Sequence, residues 1–111
     1  MLVATSMIMG AIVDGDFAGV ERMTGGERMS APDLERAVSR IGGKLIRPPV
    51  SSYEKQSFSE VTGTQPRRFE TRVAIWTAGQ GRTKAELVLR FHEDIPDTVW
   101  PEVISLSVED H

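Results

Sequence analysis

Cysteine is absent from this chain of 111 residues. That excludes disulfides, thiolate metal sites and a thiol nucleophile, and it suits a reducing compartment, so a cytoplasmic location is expected. Histidine is scarce, with only His92 and the C-terminal His111. Neither has Asp or Glu partners at ligand spacing, so no metal and no other cofactor is expected. A basic excess is lacking as well: the net charge is −3, and Lys and Arg are scattered among Asp and Glu. A nucleic-acid partner is therefore not expected.

No long hydrophobic run is present. Met1 to Val13 is apolar, but the stretch falls short of the roughly 20 residues needed to cross a bilayer. No Lys or Arg precedes Arg22, so it lacks the basic start of a signal peptide. Asp14 and Asp16 follow it directly. It reads as a core-facing helix, uncapped at its start like a helix whose first turn is cut short, and no membrane partner is expected. Catalytic signatures are missing too. No Gly-x-Ser-x-Gly elbow occurs, and the Gly25-Gly26, Gly42-Gly43 and Gly79–Gly81 points match no phosphate-binding fingerprint. No catalytic residue is assigned.

What is present is a change of rhythm. Leu2, Val3, Met7, Ile8, Ala11 and Ile12 recur at helical spacing and predict a helix of about residues 2 to 14. Gly15 breaks it, and Asp16 caps a second helix carrying Phe17, Val20 and Met23. Ser30 and Asp33 form a capping-box pattern around Pro32, followed by Leu34, Ala37, Val38 and Ile41 on one face. Gly42 and Gly43 close this third helix.

After Gly43 the period falls to two. Leu45 and Ile46 make a short strand ended by Pro48 and Pro49, Phe58 and Val61 a weak one, and Thr62–Pro66 a turn. Phe69, Thr71, Val73 and Ile75 then face inward, with Arg68, Glu70, Arg72 and Trp76 outward. Ala78–Gly81 is a hairpin loop. Ala85, Leu87, Leu89 and Phe91 face inward again, with Lys84, Glu86, Arg90 and His92 outward. Glu93–Pro101 reads as a loop with two prolines, and Ile104, Leu106 and Val108 as a last strand. His92 reads as a half-exposed strand residue, and Trp100 as a plug on the core.

The expectation is a single α+β domain over the whole chain: helices at about 2–43 packed on one face of an antiparallel sheet at about 44–109, the other face polar.

Three stretches carry a resemblance: Ala11-Ile12-Val13-Asp14-Gly15-Asp16-Phe17, then Ala74-Ile75-Trp76-Thr77 with Gly81-Arg82 and Leu87-Val88-Leu89, and last Val103-Ile104-Ser105-Leu106-Ser107-Val108. The first resembles the helix-one turn of small NTF2-like, or cystatin-like, domains. The others are similar to a bacterial family of small uncharacterised proteins. The resemblance implies a helical hairpin seated in the concave face of a curved sheet. It leaves function open, because fold does not fix chemistry.

Three functions fit such a domain. The first is a non-catalytic protein-binding domain, in its concrete form an immunity protein that covers the active site of a cognate bacterial toxin. Its binding residues would be Arg72, Trp76, Glu86, Arg90 and His92 on the open sheet face, with Glu93, Asp94 and Asp97 beyond. The alternative is an NTF2-like small-molecule binder or enzyme with a pocket between helices and sheet, for which Asp16, Tyr53 and Trp100 are the candidates. The resemblance suggests that pairing, since NTF2-like enzymes use an Asp with a Tyr in an apolar pocket. The third is a homodimer formed through the exposed sheet face.

Overall fold

The computed structural model describes residues 1–54, 56–63, 67–95 and 98–107. Three helices come first: α1 (Leu2–Asp14), α2 (Phe17–Thr24) and α3 (Ala31–Ser39). The remainder is sheet with one short helix: β1 (Leu45–Ile46), α4 (Val50–Glu54), β2 (Ser59–Glu60), β3 (Arg67–Thr77), β4 (Gly81–Ile95) and β5 (Thr98–Ser107). All pairings are antiparallel, in the order β1-β3-β4-β5, with β2 also paired to β3. The sheet is open. The expected α+β architecture of helices ahead of an antiparallel sheet is therefore what the chain adopts.

The helix boundaries follow from local chemistry. Gly15 ends α1 in the left-handed region at φ 77°, where a side chain would be strained. The Asp16 carboxylate then accepts a hydrogen bond from the Gly19 N–H at 3.0 Å and starts α2. At α3 the capping box closes on both sides. The Asp33 N–H donates to the Ser30 hydroxyl, and the Ser30 N–H donates to the Asp33 carboxylate at 3.0 Å.

Bonds from the Ser30 backbone and hydroxyl, then the Arg36 charge, hold the Asp33 carboxyl below its ordinary 3.8. A carboxyl depressed in the folded state stabilises the fold above its unfolded pKa, and that part is lost as pH falls through the folded value. Ser30→Ala should cost about 0.5–2 kcal/mol in urea unfolding at neutral pH. Asp33→Asn should be less stable than the wild type at neutral pH and converge with it in acid. A gap constant across pH would show that the Asp33 charge contributes nothing.

One buried cluster joins the layers. Ile8, Met9 and Ile12 of α1, Val20 of α2 and Leu34 of α3 meet Val73, Ile75, Leu87, Leu89, Phe91 and Val103 of the sheet. These side chains occupy the space between helices and sheet.

Three expectations need correction here. The face of α1 is not the one read from the sequence: Thr5, Ile8, Met9 and Ile12 are buried, while Val3 is 73% and Met7 58% exposed. A helix apolar on every side offers no polar stripe to orient it.

Residues 93–95 and 98–101 are strand rather than loop, with Ile95 paired to Thr98. Pro101 is tolerated because β5 ends the strand order, so one of its sides carries no ladder bonds.

The inward residues of β5 are Val103 and Leu106, not Ile104 and Leu106. Val88 pairs with Ser105 and Leu89 with Val103, so Ile104 is an extra residue that reverses the alternation. The expected Val108, the end of the Thr62–Pro66 turn and Asp97 lie outside the described residues.

Candidate functional site

Helices α1, α2 and α3 pack on one face of the sheet, and the other, bordered by α4 at the β3 edge, carries an ordered array of charge. Cross-strand register aligns Arg68 with His92 and Trp100, and Glu70 with Arg90 and Glu102. Opposite charges thus sit side by side, as expected of a stable polar face. The Arg90 guanidinium donates to Glu70 at 3.0 Å, and Arg72 reaches the same carboxylate at 4.0 Å.

His92 is not the half-exposed residue expected from its strand position. It is 7% exposed. Its Nε2 lies 3.2 Å from Glu102 Oε1, and its ring stacks on Trp100 with centroids 4.2 Å apart and planes 14° from parallel. Trp100 is likewise no plug on the core: it stands on this outer face, 37% exposed. The Trp100 and Glu102 side chains cover what the alternation alone would leave in water.

Two hollows mark the face. The larger is an open groove of about 530 Å³ lined by Arg68, Arg90, His92, Trp100 and Glu102, with Glu27 and Arg28 of the α2–α3 connection. The smaller, of about 220 Å³, lies by the β3 edge, where Trp76 stands across from Arg82 and beside Arg72, Gln56 and Ser52. There β4 bulges opposite Ile75. The Thr83 hydroxyl donates to the Ile75 carbonyl at 2.8 Å and accepts from the Ala85 N–H at 3.1 Å, so the irregular backbone is partnered.

The predicted site residues are thus split. Arg90 and His92 line the larger groove, while Arg72 and Trp76 line the smaller. Glu86 is half-buried between Ala74 and Ser107. Glu93 lies opposite Arg67 at the far end of the hairpin. Asp94 belongs to β4, but its side chain, like Asp97, lies outside the description.

Asp16, Tyr53 and Trp100 do not converge on either hollow. Asp16 caps α2, and Trp100 lies on the helix-free face. Tyr53 is on α4, where burial raises its pKa above 10.0 and the Arg47 charge pulls the other way. Arg47 in turn pairs with Asp14 at 2.9 Å. Among the described residues no group of His, Asp and Glu could hold a metal ion, and no helix is long and apolar enough to cross a membrane.

Sequence reasoning passed over Glu102, Arg28 and Arg82 as site residues, and saw Arg68 only as outward-facing. For Glu102 a signal was present: Val99, Pro101 and Val103 alternate with Trp100 and Glu102.

A protein-family model described as a domain of unknown function, DUF7668, matches residues 9–108. No curated protein and no solved structure matches the chain.

Proposed function

This chain belongs to the DUF7668 family, a domain of unknown function, and from that premise we propose that it is a non-catalytic protein-binding domain that docks through the helix-free face of its sheet. The observation that carries the reading is the composition of that face. Two hollows, each with a tryptophan and at least two arginines in its wall, lie on a rigid hydrogen-bonded sheet. Trp and Arg are the residues that most often anchor protein interfaces. A rigid array loses little conformational entropy on binding.

In its concrete form the proposal is an immunity protein acting in the cytoplasm, which blocks a cognate bacterial toxin by covering its active site. The helices ahead of an antiparallel sheet support the NTF2-like resemblance within this reading. Core side chains fill the space beneath the helices, and the hollow of about 350 Å³ between α3 and Leu106 of β5 is lined by none of Asp16, Tyr53 and Trp100, so it does not favour a ligand pocket built on them.

The test is affinity capture from the source organism with the wild type and with a Trp76→Ala, Trp100→Ala double variant. The reading expects one partner with toxic activity that the wild type suppresses. The double variant should bind it at least ~10-fold more weakly, the effect of losing a single anchor. Equal capture by both proteins, or self-association through the same face in light scattering with no partner, would remove the reading.

A further inference from the structure

We propose that the larger groove is an oxyanion site: it takes one carboxylate or phosphate group on Arg68, with Arg90 and Arg28 as supporting charges. Glu70 serves two arginines, Arg90 at 3.0 Å and Arg72 at 4.0 Å. Glu102 is engaged by His92. Glu27, on the wall formed by the α2–α3 connection, makes no ion pair with Arg68. Each carboxylate of the groove is thus committed elsewhere or outside ion-pair distance, and the Arg68 guanidinium is left without an ion-paired counter-charge among the described residues.

The second observation is independent of the first. The Nε atoms of Arg68 and Arg90 are both shut away from solvent, and neither meets a hydrogen-bond acceptor among the described residues. A buried donor without an acceptor is a standing cost, larger when the group is charged. Arginine presents its N–H groups as a planar fork that fits the paired oxygens of a carboxylate or phosphate. No ion pair with a described residue restrains Arg68, so its fork can swing toward the groove and give Nε and a terminal nitrogen to one oxyanion.

The surroundings suit such a ligand. Three arginines face two glutamates in the groove wall, in a chain whose net charge is −3. The floor is held rigid by the stacked His92–Trp100 pair and the His92–Glu102 bond, both made by side chains nearly closed to water except for Trp100.

This inference does not depend on the protein-partner reading. A groove that holds a free anion while capture yields nothing would leave it standing and remove the other.

The experiment is a titration of 15N-labelled protein followed at the arginine Nε–Hε resonances. One arm uses inorganic phosphate and the other acetate, both at constant ionic strength. The Arg68 and Arg90 signals are expected to shift along a saturable curve in at least one arm, and the arm that saturates identifies the source of the oxyanion. Signals of the exposed Arg36, Arg40 and Arg82 should move little. Arg68→Lys keeps the charge but removes Nε and the fork, and should weaken the apparent affinity at Arg90 ~10-fold, the worth of one charge-assisted bond. Equal, unsaturating shifts at all arginines would overturn the proposal, and so would a saturable curve unchanged in Arg68→Lys. The wild-type titration decides alone if that variant fails to fold.

Discussion

Phe91→Ala is expected to lower the stability of the fold by about 3–5 kcal/mol, the range for truncating a buried aromatic to a methyl. Phe91 is the largest of the fully buried side chains, with no exposed surface. It sits on β4, the strand flanked by β3 and β5, opposite Phe69 on one side and Pro101 on the other. Its ring meets Phe58 edge-on, with centroids 5.9 Å apart at 70°, an arrangement that adds to simple burial. The segment before β2 is thereby tied to the middle of the sheet.

The hole left by the alanine cannot collapse easily. The hydrogen-bonded strands on both sides fix the backbone, and the helices that face them are held by the same cluster. Domains of this size are stable by about 5–15 kcal/mol, so the loss is a large share of the total. Urea unfolding followed by tryptophan fluorescence measures it. The midpoint should fall with the denaturant slope unchanged. Phe91→Leu should cost less, because more of the volume stays filled. A loss under about 1 kcal/mol for the alanine variant would mean that Phe91 is not enclosed as described.

Much of the fold was legible because the sequence obeys two rhythms with a clear junction. The capping box at Ser30 and Asp33 and the glycine after Asp14 mark helix ends by local chemistry that needs no knowledge of the rest of the chain. The β3–β4 hairpin was legible because charged residues recur at every second position over Arg68–Arg72 and again at Lys84, Glu86, Arg90 and His92, which marks the outward face despite the apolar Val88 on it. The failures have equally specific causes. In α1, apolar residues surround the axis, and only the tertiary packing selects Ile8, Met9 and Ile12 over Leu2, Val3 and Met7. In β5, proline signals a break, yet at a sheet edge Pro101 is tolerated. The extra residue at Ile104 then shifts the inward set by one, and a rule of strict alternation cannot see a bulge.

The candidate site was less legible for a related reason. Arg68, Arg90, His92, Trp100 and Glu102 become neighbours only through the register of three strands. Reading 93–101 as a loop cut the third strand short, which took Trp100 off the face and left Glu102 unplaced. His92 then looked half-exposed, because the residues that bury it had been assigned elsewhere.

That dependence yields the second large effect. Glu102→Ala should cost about 1–3 kcal/mol, although the residue lies on the outer face and not in the core. Glu102 and His92 are both buried, and their side chains are joined at 3.2 Å across β4 and β5. Removing the carboxylate leaves a buried ring nitrogen without its partner. Glu102→Gln keeps the shape and a hydrogen-bonding group, so it should lose less. Because His92 stacks on Trp100, loosening the pair should also change the Trp100 emission in the folded state. The decisive measurement is a double-mutant cycle with His92→Ala. Truncating the second partner removes a group already left unpaired, so the double variant should be more stable than the sum of the single losses predicts, by about 0.5–3 kcal/mol. Losses that add with no such remainder would show that the two side chains are merely adjacent. A measured coupling would establish that His92 and Glu102 form a bonded floor beneath Trp100, a fixed base against which a docking partner can pack and toward which the arginines of the groove can turn an oxyanion.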